Sequence, residues 1–229
     1  MATPPQVTQP TPITRPAIRT PRAAAIAGIA FAVLLTTALI LVRIAVPHDP
    51  GDAGTWLTND GKRSAVILAM NLLPFAGIAF LWFIGVVRDR IGQGEDRFFA
   101  TVFLGSGLLF IAMLFATGAV AGGLLLSSEQ RPPPGVWTFG RHVTYTLLTV
   151  YAMRMAAVFT ISTTTIATRL GLAPRWLSAF GFATGLVLLV STGRLPWIEI
   201  IFPLWVLVFS LHILVASFRS RAVAADGLR

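Results

Sequence analysis

Six runs of nearly unbroken apolar residues, spaced by short polar stretches, organise the chain: 23–46, 64–87, 98–126, 142–168, 176–192 and 198–218. A helix rises about 1.5 Å per residue, so each run can cross ~30 Å of hydrocarbon, the fifth with the least to spare. Peptide groups inside lipid find no water and must bond within their own segment, so the runs predict helices. The predicted fold is all-α, a polytopic membrane protein built as a six-transmembrane-helix bundle over residues 23–218. Ahead of it, residues 1–22 contain Pro4, Pro5, Pro10, Pro12, Pro16 and Pro21 and read as a disordered, extended tail. Behind it, residues 219–229 read as a short basic tail. Arg15, Arg19 and Arg22 before the first run resemble the start of a signal peptide. That run is too long for a signal core and lacks a convincing cleavage site, so it reads as a retained span.

Composition removes whole classes. Hydrophobic residues make up 55% of the chain and charged residues 12%, about half the charge of an ordinary soluble domain. The mean hydropathy of +0.76 excludes a soluble globular enzyme, a disordered regulator and a collagen-like fibre. The chain has no cysteine, which excludes disulfides, zinc–thiolate sites, iron–sulfur clusters and thiol catalysis.

The net charge of +9 is read as topological. With the N-terminus inside, eleven basic residues fall in cytoplasmic segments: Arg15, Arg19 and Arg22; Arg88, Arg90 and Arg97; Arg169 and Arg175; Arg219, Arg221 and Arg229. Five fall outside: Lys62, Arg63, Arg131, Arg141 and Arg194. The positive-inside rule then predicts N-in/C-in, both termini cytoplasmic. The partner this charge implies is the lipid bilayer, with anchoring to its leaflets rather than to nucleic acid. The excess of arginine over lysine and the richness in alanine suggest a bacterial coding bias, hence a bacterial plasma (inner) membrane.

Arg43 and Arg154 remain within the runs, where a charge is costly. Arg154 lies near the middle of the fourth run, roughly 18 Å from its outer end. Thr144, Tyr151, Arg154, Ser162 and Thr165 recur at helical spacing and predict one polar face. Candidate partners for Arg154 are Asn71, the carbonyl that Pro74 leaves unbonded near Met70, and Glu199, for which Arg194 is the easier partner. Two readings follow. The leading one is an interhelical hydrogen-bond lock in a small accessory or structural membrane protein. The alternative is a transporter or receptor-like protein in which Arg154, Asn71, Tyr151 and Glu199 line a polar cavity in the outer half of the bundle that binds a small or anionic solute.

Other constellations are weaker. His142 and His212 sit near opposite ends of their spans, which opposes a shared haem. His48, beside Asp49 and near Asp52, reads as a solvated loop histidine. Gly105-Ser106-Gly107 lacks the preceding glycine of a rhomboid-type nucleophile, because position 104 is Leu104, and reads as close packing. The loop from Gly85 through Arg88, Asp89 and Arg90 to Gly92 resembles a short signature of major facilitator transporters, but lacks its trailing basic pair and reads as a charged turn. Gly118 with Gly122 and Gly181 with Gly185 predict close helix approach, within the chain or in a homodimer. Trp56, Trp137, Trp176 and Trp197 fall at span ends and read as an aromatic belt. No nucleophile or acid–base set converges, so no catalytic residue, cofactor or metal is expected and the reading is not that of an enzyme.

Arg22-Ala-Ala-Ala-Ile-Ala-Gly28, Pro174-Arg175-Trp176-Leu177 and Phe202-Pro203-Leu204-Trp205 resemble a group of uncharacterised six-helix bacterial integral membrane proteins, the domain-of-unknown-function 4386 type. The resemblance implies an inner-membrane location and no activity, and brings no functional residue with it.

The topology is testable by single cysteines placed in the cysteine-free chain. Residues introduced at Thr58 and Gln130 should react with an impermeant label from outside, and one at Gln93 should not. The reverse pattern would overturn the orientation.

Overall fold

In a computed structural model, residues 20–46, 59–91, 97–128, 134–190 and 197–226 are described. Among the described residues every regular element is helical: α1 Thr20–Ala45, α2 Asp60–Ile91, α3 Arg97–Ser128, α4 Pro134–Thr146, α5 Met153–Arg169, α6 Arg175–Val190 and α7 Ile201–Asp226. A π-turn, Leu147–Ala152, joins α4 to α5, and a 3-10 turn, Ile198–Ile200, leads into α7. Five stretches are long and apolar enough to cross a membrane: Ala23–Ala45, Asp60–Arg88, Phe98–Ser127, Gly135–Arg169 and Ile198–Phe218. The other, α6, is apolar but has only 16 residues, fewer than any of these five stretches. The chain is thus a helical, multi-pass membrane protein in contact with the lipid bilayer.

Two boundaries depart most from the expected ones. The fourth rod begins at Pro134, not at residue 142, so part of the expected loop 127–141 is helical. Proline at a first helical position lacks only an N–H that would be unbonded anyway, and its φ already suits a helix. At the C-terminus α7 continues to Asp226, through most of the expected basic tail. Most of the expected N-terminal tail, residues 1–19, lies outside the described residues.

Local chemistry sets other ends. Asn59 Oδ1 accepts the Lys62 backbone N–H at 3.1 Å and caps α2. Past Arg169, Gly171 takes the left-handed conformation (φ 67°) that glycine tolerates. The Leu172 N–H then donates to the Ala167 carbonyl at 2.9 Å, and the Gly171 N–H to Thr168 at 3.1 Å, closing α5 with a Schellman motif.

Packing centres on aromatic rings. Phe31 from α1, Phe80 from α2, Phe110 from α3 and Phe202 from α7 are each 0% exposed. Every pair among these four rings is in contact, with centroids 4.5 to 6.1 Å apart. Phe159 of α5 joins Phe80 and Phe103 at 4.9 Å each. Edge-to-face and offset contacts of this kind add to the dispersion that holds helices together in lipid. α1 lies along α2 and α7, α3 against α2 and α5, and α6 against α5.

The glycine pairs act unequally. A Cβ on Gly181 would run into the Thr164 side chain, and one on Gly185 into Ile161, so this pair seats α6 on α5. Gly118 approaches Leu73, whereas Gly122 faces open space. Gly107 abuts Ile84 and Phe159, and the Ser106 hydroxyl donates to the Val102 carbonyl of its own helix at 2.6 Å. Both residues serve packing.

Because four helices share one ring cluster, Phe80→Ala should lower the unfolding free energy of the detergent-solubilised chain by about 3 kcal/mol. Leu186→Ala, at a position 60% exposed on α6, should change it by less than about 1 kcal/mol. Equal effects in denaturant titrations would contradict the central role of the cluster.

Candidate functional site

A cavity of about 190 Å³ opens at the end of the bundle where α1 and α3 finish and α2, α4 and α7 begin. Its walls are mostly apolar, among them Ala38, Leu73, Leu114 and Leu148. Arg43, Arg141 and Glu199 supply its charge, and Thr117, Thr144 and Thr149 its hydroxyls. Inward from Ala38 and Leu73, two helical turns along α1 and α2, stand Phe31 and Phe80 of the ring cluster.

Arg43 and Glu199 form its charged centre. Their side chains are 15% and 8% exposed, and Arg43 Nη2 lies 4.0 Å from Glu199 Oε2. That contact is an ion pair by distance, but longer than the ~2.8 Å of a charge-assisted hydrogen bond. The Trp197 ring lies against the guanidinium, with the carbon 5.6 Å from the ring centroid. Trp197 has φ 70° and ψ 4°. Left-handed backbone is rare for a bulky residue and costs on the order of 1–3 kcal/mol, so the surrounding packing must hold it there. The Ile200 N–H donates to the Trp197 carbonyl at 3.1 Å, which fixes the turn that carries Glu199.

The expected polar face of the fourth run is not assembled. The π-turn changes the register between Thr144 and Tyr151, which strict helical spacing had placed on one side. Thr144 faces the cavity, whereas Tyr151 is 55% exposed on the outer surface of the rod. Arg154 does not line the cavity. Its Nη1 donates to the Val150 carbonyl, four residues earlier on its own rod, at 3.2 Å. The π-turn, not Pro74, supplies the acceptor. Asn71 and Pro74 are exposed on α2. Glu199 lines the cavity, and its cationic neighbour there is Arg43. The structure thus brings Glu199, but not Arg154, Asn71 or Tyr151, to the cavity.

Hydroxyls follow the same economy. Thr144, Thr149, Ser162 and Thr165 each donate to the carbonyl four residues back, at 2.8 to 2.9 Å. A hydroxyl satisfied in this way needs no partner on another helix.

Remaining candidates are scattered. His142 is exposed on α4, while His212 Nε2 lies 3.3 Å from the Leu172 carbonyl beside Trp176. Among the described residues no three metal-ligating side chains gather. His48, Asp49, Asp52, Trp56 and Arg194 lie outside the described residues, and the side chains of Asp89 and Arg90 are not described. Trp176 is 58% exposed, in keeping with a belt residue, but Trp137 is 7% exposed and lines the cavity together with Trp197. Arg43 and Arg141 are the residues that sequence reasoning passed over. The available signal was a second intramembrane arginine at the same end of the bundle as Glu199.

No protein-family model, curated protein or solved structure matches the chain.

Since Arg154 bonds within its own rod and stands outside the cavity, Arg154→Leu should leave the fold intact. Its unfolding free energy should shift by no more than about 1 kcal/mol, because a satisfied polar group and a packed apolar one are similar in energy. A loss of several times that would assign Arg154 an interhelical role.

Proposed function

We propose that this chain is a six-span protein of the bacterial plasma membrane with both termini cytoplasmic, and that it binds a small solute in the cavity at the outer end of the bundle. The observation behind this reading is the cavity itself, about 190 Å³ of mostly apolar space with a largely buried Arg43–Glu199 pair at its centre. Ligand sites in membrane bundles pair an apolar wall with a few converging polar groups, and intramembrane charges mark them. The solute-binding reading drawn from the sequence is kept, and its centre moves from Arg154 to Arg43, Arg141 and Glu199. The packed ring cluster of Phe31, Phe80, Phe110 and Phe202 lies further inward in the bundle, which favours a receptor-like binder over a transporter. No step of covalent chemistry is proposed.

The accessory role is the second reading. Asn71, exposed partway along α2, favours it, because a lipid-facing carboxamide is best satisfied by another helix. That helix would belong to a second copy or to another membrane protein. Membership of the domain-of-unknown-function 4386 type is likewise proposed on the short motifs alone, and fits either role.

Ala121 lines the cavity, so Ala121→Trp should fill it. Thermal unfolding of the purified full chain in detergent is the readout, with octanoate and 1-octanol as probes. At least one probe should raise the midpoint saturably in the wild type by several degrees, and neither should do so in Ala121→Trp. No response from the wild type, or an equal response from the filled variant, would overturn the binding reading.

A further inference from the structure

We infer that the cavity takes a neutral molecule, one ring or one short chain carrying a hydroxyl, and that this hydroxyl donates to a threonine of the lining. The inference rests on the binding reading above and adds the ligand's size, charge and hydrogen-bonding sense.

Size comes from the volume. A cavity of about 150 Å³ holds one benzene, whereas drug-sized ligands need about 300 Å³ or more. At about 190 Å³ the space accepts a single ring or a short chain. Two acyl chains of a phospholipid do not fit.

Neutrality comes from the state of the charged groups. Arg43 and Glu199 already face each other at 4.0 Å, and the Trp197 ring lies against the guanidinium. Arg43 and Arg141 both have further interactions, so neither waits for a counter-ion. An anion would have to take Arg43 from Glu199, and a cation would have to take Glu199 from Arg43. Either exchange strands a resident charge where the two side chains are only 15% and 8% exposed. A buried charge that loses its partner is costly, whereas a neutral ligand leaves the pair as it is.

Hydrogen-bonding sense comes from the hydroxyls. Thr117, Thr144 and Thr149 line the cavity, and each donates its proton to the carbonyl four residues back, at 2.8 to 2.9 Å. An oxygen that has donated its only proton can still accept. Thr117 and Thr149 are each 3% exposed, and they come from α3 and the π-turn, which pack against each other. Thr117 stands one turn from Leu114, and Thr149 follows Leu148, both of them wall residues. The side chains that carry N–H groups lie toward the open end: Arg43 beyond Ala38 on α1, Trp137 and Arg141 ahead of Thr144 on α4. A ligand seated against Ala38, Leu73 and Leu114 therefore has threonine oxygens as its polar neighbours. A hydroxyl can donate to them, whereas an ether oxygen cannot.

Of the two thermal probes above, 1-octanol is then the one that should raise the midpoint. The sharper test is equilibrium dialysis of radiolabelled benzyl alcohol, anisole, benzoate and benzylammonium against the full chain in phosphatidylcholine nanodiscs, with empty nanodiscs as background. Benzyl alcohol and anisole are isomers, one with an O–H and one without. Benzyl alcohol should bind about fivefold more tightly than anisole, the factor expected of one net hydrogen bond. It should bind at least about tenfold more tightly than either ion. Among Thr117→Val, Thr144→Val and Thr149→Val, which keep the side-chain shape, at least one should bring benzyl alcohol down to the level of anisole and leave anisole unchanged. Anisole binding as well as its isomer, or no such effect from any of the three variants, would overturn the hydroxyl inference. Benzoate or benzylammonium binding as well as benzyl alcohol would overturn neutrality. In each of these cases the cavity reading stands, whereas saturable binding of none of the four would overturn both. Displacement of benzyl alcohol by monooleoylglycerol would assign the site to a lipid hydroxyl and overturn the small-molecule inference. The comparison of the four ligands is made on the wild-type chain, so it holds even where a variant fails to fold.

Discussion

Four phenylalanine rings, one from each of α1, α2, α3 and α7, meet in mutual contact at the middle of the bundle. Inside a bilayer there is no water to drive helices together, so close packing must supply the attraction. The rings do so by bringing four helices to one point. The rest of the architecture follows from where that layer stops. Toward the end where α1 and α3 finish, the facing residues shrink from phenylalanine to Ala38, Leu73, Leu114, Thr117 and Ala121, and the cavity opens. Core and cavity adjoin, the ring layer lying about two helical turns inward of Ala38 and Leu73, which line the space.

In the fourth rod and at the cavity, polar groups divide into two kinds. Hydroxyls along the fourth rod turn back onto their own carbonyls, and Arg154 does the same at the π-turn. They are internal to one helix and say little about neighbours. Arg43 and Glu199 stand apart because they face each other from different elements. A charge pair between separate helices in a poorly hydrated place constrains both, and here it coincides with the backbone strain at Trp197.

The spans were legible because an apolar run of sufficient length admits few alternatives in a membrane, as 98–126 and 198–218 illustrate. Their facing surfaces were not. A helix apolar all round hides which side is packed, so nothing distinguished buried Phe80 from exposed Phe75. The polar face built on Arg154 failed for a different reason. It assumed one helical period through the fourth run, and the π-turn at Leu147–Ala152 changes that period with no proline or glycine inside it to mark the place. Glu199 was found because an acid in an apolar run is conspicuous. Arg43 was seen but given no role, since an arginine close to the end of a span usually reaches for water.

The 16 residues of α6 span about 24 Å, against the ~30 Å of an ordinary hydrocarbon core. In the proposed six-span arrangement α6 would cross the bilayer over its described 16 residues, and lipid beside it would shorten its reach to match. A membrane thinned along α6, which is seated on α5, would favour neighbours with the same mismatch and so give the protein a preferred azimuth, independent of any ligand.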